Sequence, residues 1–328
     1  MEDSKSLTPA DDKKKGISYN LKNISERSRA YIKDVIVLIN KEIGINKISS
    51  IMLFGSQRSE KKEESTIISD CDLLFIFKDR VSDRHIKEIE KHFMALEEKH
   101  NFKRFNSSLI RIILNVLQYS TGMFVSHFLT RKKFWDQANF HKIFRVNRII
   151  SALFAPRNIV LSNVLDNSTI LYGEDLRRNI RSNIKVTVKE MFKSAVMNLF
   201  ISFFALLITP LTNLNAIIYQ LEAIKWTLRT SNYYCFKDTA TLNKIIERFI
   251  SLETLPSQPK TELYFDNFLK LRKNPKNIFF FMLRTPLRIL KIHVKAIIYK
   301  KLVKKKPLRI PSEYKEPILP DRSFPIQF

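Results

Sequence analysis

The sequence predicts an α+β protein with its strands in the first half and helices filling the second. Three observations predict this. An apolar run ends at Phe54, Gly55-Ser56 follows, and a second apolar run opens after Asp70-Cys71-Asp72, the pattern of two strands joined by turn chemistry and a charged spacer. Apolar residues between 83 and 102 recur at helical spacing, with Ile86, Ile89, Phe93 and Leu96 on one stripe. From residue 179 onward the pattern is helical, with few strand signals. A chain of 328 residues suits two domains, each able to bury its own core.

In chain order, residues 1–16 are polar and carry Pro9, and read as a flexible arm. Helical periodicity through Tyr31, Val35, Ile36, Leu38 and Ile39 fills 17–47 and leads into a first strand near 48–54. The spacer 57–69 is too charged to be regular. A second strand over 69–77 sends Leu73, Phe75 and Phe77 into a core. Helices are expected at 83–102 and 107–119, a strand at 122–129, and a helix at 139–154 that stops before Pro156. A short strand at 168–176 ends in Tyr172-Gly173-Glu174-Asp175 and puts a domain boundary near 178.

The helical half holds two unusual stretches. Residues 194–221 contain no charge over 28 positions, long enough for a membrane span. Asn198, Ser202, Pro210, Asn213 and Asn215 interrupt the run and favour a buried central helix instead. Residues 216–229 form an amphipathic helix. Residues 267–309 carry 14 Lys/Arg and no acid, with Arg284, Arg288, Lys291 and Lys295 on one stripe. Thr285-Pro286 reads as the start of a helix, leaving Arg284 just outside it. Leu287, Leu290, Val294, Ile297 and Ile298 supply its apolar side. Such a helix can lie in a membrane interface, or pack on the helical domain and present its cations to nucleic acid. Prolines end regular structure after 306, leaving 307–328 as a tail.

Charge and cysteine content narrow the function classes. With 57 basic and 32 acidic residues the net charge is +25, which points to an anionic partner: RNA, DNA or an anionic membrane surface, met through 267–309. Cys71 and Cys235 cannot make a disulfide framework or a zinc site. The polar N-terminal residues do not resemble a signal peptide, so the expected compartment is the cytoplasm, with a peripheral place at a membrane surface open.

The chemistry-bearing residues are Asp70 and Asp72. At i and i+2 on a strand they share one face. Two carboxylates this close repel unless a cation lies between them, and hard divalent ions favour such oxygen ligands completed by substrate phosphates. Gly55-Ser56, at the mouth of the preceding strand, offers backbone N–H groups and a hydroxyl to those phosphates. This Gly-Ser, 13-residue spacer and Asp-x-Asp arrangement resembles the nucleotidyltransferase superfamily typified by DNA polymerase beta. Leu171-Tyr172-Gly173-Glu174 resembles the segment that closes the catalytic domain in minimal members.

The resemblance implies a small mixed-sheet nucleotidyltransferase domain over 17–178, followed by an all-helical domain over 179–306. It implies Asp70 and Asp72 as catalytic residues and ligands of Mg²⁺ or Mn²⁺, an NTP as substrate, and Gly55 and Ser56 on its terminal phosphates. It also implies a lysine from the second domain on the nucleotide, for which Lys225, one turn after Glu222, is the candidate. The acceptor hydroxyl stays open among RNA, protein and small molecules. The family's third carboxylate has no match in 122–129, where the polar residues are Ser126 and His127. Asp136, Glu174 and Asp175 are the alternatives. A catalytically degenerate protein that binds nucleotide or nucleic acid, or a membrane-associated basic protein, stands as the rival reading.

Overall fold

The computed structural model describes residues 24–54, 71–100, 102, 127–211, 215–253 and 257–305. Gly55, Ser56, Asp70, the N-terminal arm, the charged spacer, the helix expected at 107–119, the start of the strand expected at 122–129 and the C-terminal tail lie outside them.

The first half builds a four-stranded sheet in the order β3-β2-β1-β4. Helix α1 (Glu26–Glu42) starts where Ser25 accepts the backbone N–H of Ser28. It leads to β1 (Ile48–Phe54), which pairs antiparallel with β2 (Asp72–Phe77). Helix α2 (Asp83–Lys99), capped by Ser82, follows, and β3 (His127–Arg131) lies parallel to β2. Four short helices come next: α3 (Lys132–Asp136), α4 (Phe140–Ile143), α5 (Arg148–Phe154) and α6 (Arg157–Asp166). Strand β4 (Thr169–Gly173) then pairs antiparallel with the free side of β1. The sheet is therefore mixed, and the chain is α+β.

Period-two alternation gives the sheet two buried faces. Cys71, Leu73, Phe75 and Phe77 pack with Ile51 and Leu53 under α1 and α2. Met52, Leu74 and Ile76 pack on the other side with Trp135, Phe140 and Leu165. Gly173 is required where β4 meets β1. Its φ is +81°, and an added Cβ would lie 2.1 Å from the Ser49 carbonyl oxygen.

The second half is helical: α7 (Arg177–Arg181), α8 (Val188–Ile208), α9 (Ile217–Phe236), α10 (Leu242–Ser251), α11 (Gln258–Lys273) and α12 (Phe279–Lys305). Helix α9 lies at the centre, packed by α8 and α12. Their core includes Met191, Ile201, Ile224, Leu228, Phe268 and Ile289, and Ile159 of α6 joins it.

Three local expectations are corrected. The helix expected at 139–154 is two helices, because Arg145 turns left-handed at φ 53° and Asn147 caps a new start by accepting the N–H groups of Ile149 and Ile150. The stretch 194–221 is divided between α8 and α9, with a 3-10 turn at Thr209–Leu211. Thr285-Pro286 does not begin a helix: Pro286 lies inside α12. Proline lacks the N–H that would bond the Met282 carbonyl four residues back. The buried Gln220 amide donates to that oxygen instead, at 3.0 Å, which makes the proline tolerable there.

Candidate active site

Of the residues in the two sequence motifs, Cys71 and Asp72 lie among the described residues, at the mouth of the β1–β2 pair. Phe54, the last residue of β1, is the register partner of Asp72, the first residue of β2. In sequence, Gly55-Ser56 follows directly on Phe54, and Asp70 comes two residues before Asp72. Asp72 is half-buried, while Cys71 beside it is fully buried in the core under α1 and α2. Alternation puts Asp72 on the opposite face, with Leu74 and Ile76. Phe54 closes that side of the mouth by stacking on Phe128 at 5.9 Å.

The acids considered as a third carboxylate lie elsewhere. Glu174 follows β4, and its N–H donates to the Ser49 carbonyl at 2.9 Å, near the start of β1. That is the end of the sheet away from Asp72, roughly 15 Å off at about 3.3 Å per residue. Asp175 stands next to it and is gripped by Arg177 at 2.6 Å, which holds its carboxyl below the ordinary value. Asp136 follows β3, whose last residue Arg131 pairs with Phe77 at the far end of β2. Its carboxylate is bound by Lys132 at 2.8 Å and by Asn179 at 3.1 Å.

His127 is near the mouth but faces the wrong way. It pairs in register with Leu73, on the face that packs against α2. Its Nδ1 meets Glu97 Oε1 at 2.5 Å, and Phe93 lies against its ring at 5.1 Å. The pair is buried and fastens β3 to α2. Tyr31 lies in the same region: burial pushes its hydroxyl far up, and Glu97, Cys71 and Asp72 add to the shift. The neutral Phe128 and Thr130 are the β3 residues on the Asp72 face. Among the described residues no group of three or more His, Cys, Asp or Glu is placed to hold a metal ion.

Lys225 is on α9, and its ammonium is paired with Glu222. Glu222 also accepts from Arg272 of α11 at 3.1 Å. Burial would raise the Glu222 carboxyl, but Lys225 and Arg272 together hold it below the usual range. Burial lowers the Lys225 ammonium, against the pull of Glu222. Arg229 adds its field to both groups, so three cations act on one carboxylate. Glu97 and Arg272 are the charged residues here that sequence reading missed. Each sits in its own helix stripe and gains meaning only from a partner 30 or 50 positions away.

No protein-family model matches the chain, and no curated protein matches it significantly. Among solved structures the chain is similar to spectinomycin adenyltransferase AAD(9) from Enterococcus faecialis, determined with ATP and spectinomycin. The likeness has a TM-score of 0.44 and 10% sequence identity, and covers 82% of this chain and 99% of that one. At those values the functional reading rests on the chain's own residues.

Proposed function

We propose that this chain is a metal-dependent nucleotidyltransferase that moves a nucleoside monophosphate from an NTP to an acceptor hydroxyl. The observation that supports the reading is the pairing of Phe54 with Asp72, because the Gly55-Ser56 step follows the one in sequence and Asp70 precedes the other by two residues. The acceptor hydroxyl gives up its proton to solvent as its oxygen bonds to the α-phosphorus, the bond from that phosphorus to the bridging oxygen breaks, and pyrophosphate leaves. Asp70 and Asp72 offer an all-oxygen donor set that fits a hard cation, and would hold Mg²⁺ or Mn²⁺. When bound, the ion offsets charge on the phosphates. Gly55 and Ser56 hold the terminal phosphates, and Lys225, with Arg229 and Arg272 behind it, meets the nucleotide's negative charge. The protein works in the cytoplasm, and the acid-free stretch 267–309 meets an anionic partner.

The binding-only alternative has one observation in its favour: Glu174, Asp175 and Asp136, the acids considered for the third carboxylate, all lie away from Asp72. Transfer of α-labelled NTPs, with Mg²⁺ or Mn²⁺, into fractionated RNA, protein and small-molecule extracts decides between them. Label moved by wild type but not by Asp70→Asn/Asp72→Asn supports transfer and identifies the acceptor class. Metal-dependent NTP binding without any transfer replaces the enzyme reading with the binding one.

A further inference from the structure

The helical half leaves large apolar side chains in water on two of its helices. On α8 the buried face includes Ser194, Asn198 and Ser202, while Phe192, Phe200, Phe203 and Leu207 are exposed. Helix α12 has three faces. Its packing face is Phe281, Met282, Ile289, Ile292 and Ala296, together with the buried Thr285 and His293. A second face, Leu283, Leu287, Leu290, Val294, Ile298 and Leu302, is solvent-exposed, with Leu287 at 71%. The third is the cationic stripe. The apolar side read from sequence is therefore not the side that packs, and most of it stays outside.

We infer that this exposed face of α8 and α12 is a seat for an anionic lipid surface. The two helices pack on each other. Beside Leu287 runs a groove of about 280 Å³ lined by Lys260, Arg284, Arg288 and Lys291, suited to lipid phosphates while the leucines enter the acyl boundary. Arg284 forms no hydrogen bond or ion pair among the described residues, so its guanidinium is available. The stretch 267–309 itself holds no acid, and from outside it Glu253 pairs with Lys291 and Lys295, which leaves Arg284 as a cation of the groove without an acid partner among the described residues.

The same charges argue against the other occupants. A second copy would set Arg284 and Lys291 against their own likenesses on a chain of net charge +25. Nucleic acid would satisfy the cations and leave six large apolar side chains in water. A span through α8 is the remaining alternative, since among the described residues it alone is long and apolar enough to cross a membrane. Half of its most apolar window is buried in the protein, and Gln220 donates to its Ser202 carbonyl at 2.9 Å. Those ties fit a helix lying on the bilayer rather than through it.

The test is co-sedimentation of the full chain with vesicles of phosphatidylcholine alone, or with about a quarter phosphatidylglycerol. Wild type binds the anionic vesicles, releases in about 0.5 M salt or carbonate, and ignores the neutral ones. Leu287→Gln/Leu290→Gln, both exposed and so compatible with folding, lowers the anionic partition by at least about tenfold. Arg284→Gln lowers it about fivefold. Circular dichroism checks that the variants fold. Binding unaffected by the leucine substitutions, or equal on neutral vesicles, overturns the inference. So does carbonate-resistant retention, which assigns α8 to a span. A dimer abolished by the leucine pair gives the face to a second copy. RNA binding without vesicle binding gives the stripe to nucleic acid.

Discussion

Glu253 ties α12 to the connection between α10 and α11, and its removal should weaken the helical domain in a pH-dependent way. Its side chain is 5% exposed and bonds Lys295 at 2.5 Å and Lys291 at 3.0 Å, while the Ser257 hydroxyl donates to it at 2.9 Å. Burial alone would raise the carboxyl. The hydrogen bonds from Lys295, Lys291 and Ser257 outweigh it and pull the pKa from 4.5 to about 2. At about 1.4 kcal/mol per pKa unit that difference corresponds to about 3 kcal/mol, and solvent screening at the half-exposed Lys291 brings it to about 2–3 kcal/mol.

The folded-state pKa lies below the unfolded one, so this stabilisation is full above about pH 5 and lost as pH falls toward about 2. At pH 3 roughly 60% of it is gone. Urea unfolding of wild type and Glu253→Gln, followed by far-ultraviolet circular dichroism, reads the effect. The variant is less stable by about 2–3 kcal/mol at pH 7, and the gap closes to about 1 kcal/mol at pH 3. A gap below about 0.5 kcal/mol at pH 7, or one of constant size at both pH values, refutes the reasoning.

Two further perturbations test the fold on either side. Gly173→Ala places a Cβ against the Ser49 backbone oxygen at a left-handed φ, and should cost about 3 kcal/mol or more by chemical unfolding. Gly44→Ala, where the near atom is the movable Asn46 side chain, should cost only about 1 kcal/mol, and equal losses would dismiss the close-approach argument. Burial pushes His293 down to about 3, so between that value and about 6.5 the unfolded chain binds the proton and the folded chain does not. Stability should therefore fall by about 2 kcal/mol from pH 7 to pH 5, and His293→Gln should flatten that slope; matching slopes would remove His293 as its source.

The sheet was legible because its strands are short apolar runs bounded by turn residues. Leu73, Phe75 and Phe77 enter the core under α1 and α2 as their alternation demands, and Cys71 joins them. For the candidate site, local spacing offers one Asp-x-Asp and one Gly-Ser, of which Asp72 is the residue the structure describes. The Glu97–His127 pair spans helix and strand, and the Glu222–Arg272 pair spans two helices, so no window contains either. At Pro286 a sound local rule failed, because the rule counts the lost N–H and cannot see Gln220 arriving from α9 to bond Met282. On α12 the apolar residues were read correctly, and their destination was left open between a membrane interface and the helical core. Periodicity finds an apolar stripe, but a helix with two such stripes does not announce which one the protein buries.

Net charge likewise does not say which cations are available. Of the four on the α12 stripe, Lys291 and Lys295 share Glu253, and Arg288 bonds the Thr261 hydroxyl at 3.0 Å and lies over the Tyr264 ring. That division gives Glu253→Gln a second consequence. The substitution removes the acid that offsets two lysines beside the apolar stripe, so it raises the charge presented there while loosening the fold. If the stripe faces an anionic lipid surface, the variant binds phosphatidylglycerol vesicles more tightly, about fivefold for one net charge. A stripe that only stitches helices together predicts the same loss of stability and no gain in vesicle binding. The opposite signs in the two assays separate a cation kept for packing from one kept for a partner.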